Sequence, residues 1–272
     1  MKKLTIFLLL IALLGSSCSK LTRVLKNPDM DEKYKAALDY YEEEDYYRAS
    51  LVFEDLLPNL LGKAEAEDVQ FYNAYSYYHQ QQYETAAYYF KQFHDTYRRS
   101  DYAQEALYMY AHSMYKSTPD YNLDQSNTNE SINAMQDFIN RYPQSTYVPE
   151  AEEIIQGLRD KLEEKAYTIA RQYHKLRYYK AAIIAYENFT KDFPDSELKD
   201  EIYYRMVEAQ YELAEASVTS LKRDRYQQAL DNYYQLVDRY PESPYLQQAE
   251  DYFEKSQEEL RDLQPAQAAQ GQ

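Results

Sequence analysis

The chain has 272 residues and a formal charge of −16, and it carries 34 tyrosines against four glycines, one cysteine and no tryptophan. Four glycines cannot serve the positive-φ turns of hairpin-rich sheets, dinucleotide folds or phosphate loops, which excludes all-β and most α/β architectures. One cysteine excludes an internal disulfide framework, and so acidic a surface repels phosphate backbones, so no nucleic-acid partner is expected.

Residues 1–17 read as a cleaved signal peptide. Lys2 and Lys3 supply a positive start, residues 4–14 are apolar except Thr5, and Gly15, Ser16 and Ser17 lead to Cys18. As a helix the apolar stretch spans about 16 Å, half a hydrocarbon core and too short for an anchor. The lone cysteine at the cleavage point resembles a lipobox, although Gly15 stands where leucine is usual. Acylation of Cys18 is the expectation, and several chains there would hold the protein stably on the membrane. Ordinary cleavage beside an incidental cysteine is the alternative, and it leaves an unpaired thiol in an oxidising compartment. No acidic run follows Cys18, which favours the periplasmic face over the cell surface. Residues 18–30 read as a tether.

From residue 31 onward a pattern Tyr-x-x-Ala-x-x-x-aromatic-x-x-apolar recurs. Its copies are Tyr46, Ala49, Phe53, Leu56; then Tyr83, Ala86, Phe90, Phe93; then a degenerate Thr128, Ser131, Met135, Phe138. Tyr179, Ala182, Tyr186, Phe189 and Tyr226, Ala229, Tyr233, Leu236 complete the set. Offsets of three, seven and ten share one helical face, with a small residue where a neighbour approaches. Each copy follows a partner helix, predicted over 31–44, 67–81, 102–116, 148–176 and 198–221. The last four copies close with Tyr97 and Ser100, Tyr142 and Ser145, Phe193 and Ser196, Tyr240 and Ser243. Proline follows the aromatic in the last three and stops the helix, while serine caps the next. A final helix is predicted from Tyr245 to about residue 260.

The shortest spacing of the copies lies near the 34-residue tetratricopeptide period, and the others fit the same helix pair with longer helices or loops. The fold class is therefore all-α: a right-handed α-solenoid of about five tetratricopeptide-like helical hairpins with a C-terminal capping helix, over residues 31–261. Residues 117–129 are polar, contain Pro119, and read as an inserted loop. Residues 262–272 form a tail without apolar periodicity, expected to be disordered.

Catalytic chemistry is not legible. His79, His94, His112 and His174 are too far apart for ligand pairing on one helical turn, so no metal or cofactor is expected. Glu42, Glu43, Glu44 and Asp45 read as a solvated run, and no phosphate loop or nucleophile elbow occurs. The expectation is a protein that is not an enzyme.

Two stretches carry a family resemblance. One is Leu123, Asp124, Gln125 and Thr128 followed by Phe138, Ile139, Tyr142, Pro143, Ser145 and Tyr147; the other is Ile169, Ala170 and Tyr173 running into Tyr179, Ala181, Ala182, Ile183, Phe193, Pro194 and Ser196. With the lipoprotein signal and five hairpins, these resemble the BamD family of outer-membrane assembly lipoproteins across residues 18–255, and point to a Bacteroidetes-type source. The resemblance implies a lipid-anchored outer-membrane protein facing the periplasm. It implies docking on a BamA-like barrel protein through POTRA domains, and unfolded outer-membrane proteins as clients. One departure is Ala185, where the family pattern often has arginine, so no arginine contact is carried over there.

A partner-binding stripe can be read from the helices themselves. If first helices line the concave face, Tyr34, Leu38, Tyr41, Phe71, Tyr75 and Tyr78 fall on it at spacings of three and four. Such rings suit the terminal aromatics of outer-membrane β-strands, or else pack between helices. Two other readings are weaker. A periplasmic scaffold at peptidoglycan or division sites often has a coiled coil before its repeats, and none lies before residue 30. A carbohydrate-capturing surface lipoprotein would want tryptophan platforms.

Overall fold

A computed structural model of the chain describes residues 20–60 and 62–268; the signal peptide and Cys18 lie outside them. Among the described residues a helical turn at 20–25 precedes eleven α-helices, and there is no strand. They are α1 (Met30–Glu42), α2 (Tyr46–Leu60), α3 (Glu65–His79), α4 (Tyr83–Thr96), α5 (Ala103–Lys116), α6 (Ser126–Arg141), α7 (Val148–Lys175), α8 (Tyr179–Asp192), α9 (Lys199–Glu215), α10 (Thr219–Arg239) and α11 (Leu246–Ala268). The chain divides into two compact units, Met1–Leu158 and Arg159–Gln272, with the division inside α7. The all-α class of tetratricopeptide-like hairpins stands: five pairs, α1/α2 to α9/α10, and then α11.

In the first unit each helix from α1 to α6 packs on the next. The repeat register sets the core. Ala49, Phe53 and Leu56 of α2, Ala86, Phe90 and Phe93 of α4, and Ser131, Met135 and Phe138 of α6 are all buried. Each buried phenylalanine contributes roughly 1.5–3 kcal/mol of transfer free energy. In the second unit Ala182, Tyr186 and Phe189 of α8 and Tyr226, Ala229 and Leu236 of α10 do the same, and α11 packs on both α9 and α10.

Within three hairpins the chain reverses through one tight motif. Glu44, Gln81 and Arg177 have φ of 59°, 60° and 62°. The amide of Gln81 donates to the Tyr78 carbonyl at 2.9 Å, and that of Gln82 donates to Tyr77 at 3.0 Å. Residues 44–45 and 177–178 repeat this pair of bonds, the Schellman arrangement that usually takes glycine. The shortage of glycine is met here by non-glycine residues in the left-handed region.

The predicted serine punctuation is present one turn early. The hydroxyl oxygens of Ser100, Ser145, Ser196 and Ser243 accept from the amides of Tyr102, Tyr147, Leu198 and Tyr245, at 3.0 to 3.2 Å. Each α-helix proper begins three residues after its serine, so the serine heads a short turn that leads in. Its hydroxyl also reaches back: Ser196 donates to Glu163 at 2.6 Å and Ser243 to Asp200 at 2.9 Å.

Four boundaries differ from the sequence reading. The tether at 18–30 is in part docked, because Leu21, Val24 and Leu25, spaced three and four apart, pack on the first core. Lys33, buried at 4% exposure, donates to the Leu25 carbonyl at 3.1 Å and pairs with Asp55 at 2.5 Å. The partner helix expected to reach residue 221 ends at Glu215, and α10 starts at Thr219. The inserted loop is shorter, since α6 starts at Ser126. Helix α11 runs to Ala268, into the stretch expected to be disordered, where alanine and glutamine are good helix formers.

Candidate partner-binding face

Helices α1, α3 and α5 of the first unit place aromatic rings at three- and four-residue spacings, and the structure joins those rings into a ladder. Tyr41 meets Tyr46 edge-on at 5.4 Å and Tyr72 at 5.1 Å, and Tyr46 stacks on His79 at 4.3 Å. His79 lies 6.0 Å from Tyr75, which lies 6.5 Å from Tyr78. The Tyr78 hydroxyl is 2.9 Å from Nδ1 of His112. His112 lies 5.6 Å from Tyr108, and Tyr108 stacks on Tyr147 at 4.4 Å and 8°.

Of the six residues read as the stripe, Tyr34, Leu38, Tyr41, Tyr75 and Tyr78 are half-buried and keep an edge in solvent. Phe71 does not belong with them. It is 5% exposed, stacks on Tyr102 at 4.4 Å and lies 5.3 Å from Phe93, because its ring turns into the space between α3, α4 and α5. The sequence reading missed His79, His112, Tyr108 and Tyr147. A signal for two of them was available: His79 and His112 each follow a tyrosine, Tyr75 and Tyr108, by four residues on the same helix.

Acids accompany the rings. Tyr75 donates its hydroxyl to Glu105 on α5; Tyr34 lies against Asp68 and Tyr108 against Glu150. Burial, and then the charge of Asp68, pushes the Tyr34 phenol up to about 12. Burial likewise raises Tyr41, Tyr75, Tyr78 and Tyr108, so all are neutral near pH 7. Burial holds His79 and His112 below the ordinary histidine range, so they are uncharged rings as well. The result is a surface of uncharged rings whose hydroxyl tips meet carboxylates. No group of three or more His, Cys, Asp or Glu residues among the described residues could hold a metal ion.

The loop that carried part of the resemblance has a physical account. Gln125, buried, donates from Nε2 to the carbonyls of Asp120 at 2.8 Å and Leu123 at 3.0 Å, and its Oε1 accepts from the Thr128 hydroxyl at 2.7 Å. Asp124 accepts from the Ser126 amide at 3.0 Å. Thr128 is fully buried at the first position of the degenerate repeat copy. The Asp-Gln-x-x-Thr pattern thus closes the loop and starts α6.

A family model described as an outer membrane lipoprotein, YfiO, matches residues 26–223. The chain belongs to the YfiO family. The match begins between the docked helical turn and α1, and runs into α10, so it takes in the whole ladder. Three curated proteins are similar to the chain. A putative outer membrane protein assembly factor BamD of Aquifex aeolicus is 27% identical over 202 residues, 74% of this chain and 66% of its own length. The outer membrane protein assembly factor BamD of Caulobacter vibrioides is 31% identical over 107 residues, 39% of this chain and 35% of its own. That of Rickettsia prowazekii is 26% identical over 176 residues, covering 65% and 70%. The aligned span is thus less than two thirds of the first two relatives. No helix among the described residues is long and apolar enough to cross a membrane.

Proposed function

We propose that this YfiO-family lipoprotein is a non-enzymatic component of the machinery that assembles β-barrel proteins in the outer membrane. On this reading it is held there by acyl chains on Cys18 and faces the periplasm. It docks on a POTRA-bearing barrel subunit of the BamA kind and helps receive unfolded outer-membrane proteins. The observation that carries the reading is the family match across residues 26–223, with relatives named as assembly factors.

The ladder supports a part in receiving clients. A β-strand emerging unfolded presents alternate side chains, and aromatic ones gain most by meeting ring edges that are already ordered. Tyr34, Tyr41, Tyr75 and Tyr78 are held by neighbouring rings and polar groups before any ligand arrives, and Leu38 packs on the first core, so little side-chain entropy is lost on contact. Phe71 is left out of the proposed surface. Ala185 packs against the core of the second unit, and no arginine-like contact is proposed there.

The test uses the lipidated mature chain as bait in solubilised envelopes. Recovery of a POTRA-bearing barrel protein is expected. Recovery of peptidoglycan-binding partners without it would replace the assembly reading with an envelope scaffold. Separately, Tyr34→Ala with Leu38→Ala is expected to weaken capture of a C-terminal outer-membrane-protein peptide about tenfold. Unchanged capture by a folded variant removes this face from client binding.

A further inference from the structure

The second unit holds a cavity of about 760 Å³ between the end of α7, the turn into α8, and α9. In a chain of charge −16 its walls are basic: Arg171, Lys175, Arg177 and Arg205 face it, against Glu208 and Glu212. The two acids are already engaged. Glu208 accepts from Arg205 at 2.9 Å, and Glu212 lies 2.6 Å from Nε2 of His174, whose Nδ1 is 3.3 Å from the buried Tyr186 hydroxyl. Arg205 also bonds Glu201 at 3.2 Å.

That leaves three cations without an acid. Among the described residues no carboxylate pairs with Arg171, Lys175 or Arg177. Arg171 and Lys175 are one turn apart on one helix face and Arg177 follows at the turn, so the three converge on the same opening. The guanidinium of Arg171 lies over the Tyr167 ring, 5.3 Å from its centre. In a cleft, unpaired charges of one sign act together on an approaching ion more strongly than on an open surface. Leu176 and Tyr179 supply an apolar wall beside them.

We infer that this cavity of the second unit binds a carboxylate-bearing peptide segment, with acidic side chains on Arg171, Lys175 and Arg177 and an apolar side chain against Leu176 and Tyr179. A planar guanidinium takes a carboxylate through two parallel hydrogen bonds and lysine adds a point charge. The volume is in the range of sites that hold ligands much larger than an inorganic ion. The apolar wall asks for a ligand with side chains. The acidic surface elsewhere on the chain repels the same peptide, which confines it to this opening.

The inference does not rest on the assembly reading, and its failure would leave recovery of a POTRA-bearing partner untouched. The probe is a fluorescein-labelled octapeptide with two glutamates flanking a phenylalanine, titrated against the full mature chain by fluorescence polarisation. Saturable binding is expected, at least about tenfold weaker for the analogue with glutamines. Arg171→Gln with Lys175→Gln, both exposed, is expected to weaken it at least about tenfold with an unchanged thermal melt. Arg177→Gly is expected to weaken binding while stabilising the fold, because glycine suits its positive φ. Equal affinity for the glutamine peptide, or unchanged affinity in these variants, overturns the proposal, as does no binding of the glutamate peptide. Displacement by inorganic phosphate at the peptide's own concentration also overturns it, since that marks a site for any anion.

Discussion

The hydroxyl of Tyr75 on α3 donates to a carboxylate oxygen of Glu105 on α5, thirty residues on, and so ties one hairpin to the next. The pairing recurs. Tyr77 donates to Glu54 at 2.5 Å, Tyr167 to Glu201 at 2.8 Å and Tyr252 to Glu208 at 3.0 Å. Many tyrosines beside many acids are therefore joined: the phenol brings apolar area to the helix contact and its tip satisfies a half-buried carboxylate. Tyr75→Phe keeps the ring between Phe71 and Phe90 and removes only the donor. It is expected to cost about 1–2 kcal/mol, since hydrogen bonds to charged groups exceed neutral ones and Glu105 is left partly buried without its donor. Urea unfolding checks this. In a cycle with Glu105→Gln the two losses should fall short of adding, with about 1 kcal/mol of coupling.

Ser196 bridges in two directions, accepting from the Leu198 amide at 3.0 Å and donating to Glu163 at 2.6 Å. Ser196→Ala removes both bonds and leaves an amide at the entry to α9 without its partner. The expected cost is about 1–2 kcal/mol, in the range of lost helix caps. Ser196→Thr keeps the oxygen and should recover most of it. A Ser196→Ala protein with an unchanged urea midpoint would make this turn dispensable.

The repeat was legible because core positions obey one rule. Ala49, Phe53 and Leu56, and their counterparts in α4 and α8, had to share a face, and burial followed that face. Helix boundaries near 216–218 were harder, because a break between α9 and α10 that carries neither glycine nor proline leaves no mark in composition. The face of the first unit was half legible. Spacing put Tyr75 and Tyr78 on one side of α3, where both are half-buried, yet the same spacing enrolled Phe71, whose ring turns to Tyr102 at the entry to α5. His112 could be placed by its position four residues after Tyr108 on α5, but its contact with Tyr78, 34 positions away, and that of Tyr108 with Tyr147, 39 positions away, leave no mark in any local pattern. The basic cavity of the second unit was invisible for a similar reason. Arg171 and Arg205 belong to different helices, and in a chain of −16 neither draws notice.

Gln81 has a φ of 60° and makes its two Schellman hydrogen bonds with a side chain in place. Left-handed backbone costs an ordinary residue roughly 1–2 kcal/mol, while glycine enters it freely but loses more entropy on folding. The balance favours Gln81→Gly by about 0.5–1 kcal/mol, and Glu44→Gly by a similar amount. A rise in the urea midpoint at an unchanged slope is the expected result. Gln81→Val, which is branched next to the backbone, should move the midpoint the other way.

His112 sets the last expectation, on pH. It is held below its ordinary value of 6.5 first by burial and then by the charge of Lys116, with Glu150 opposing. His79 and His94 in the same unit are lowered too, again chiefly by burial. A depressed histidine stays neutral in the folded chain while its unfolded counterpart takes up a proton. Stability is therefore fully present above about pH 6.5 and is lost as pH falls from there through the folded value. Asp68, raised by burial, acts in the opposite sense nearer the carboxylate range. The urea unfolding free energy is thus expected to be lower at about pH 5.5 than at about pH 7.5. His112→Gln offers the Tyr78 hydroxyl an amide oxygen in place of the ring nitrogen and has no proton to gain, so part of that drop should disappear. If the variant loses stability over the same window as steeply as the parent, His112 is not the group responsible.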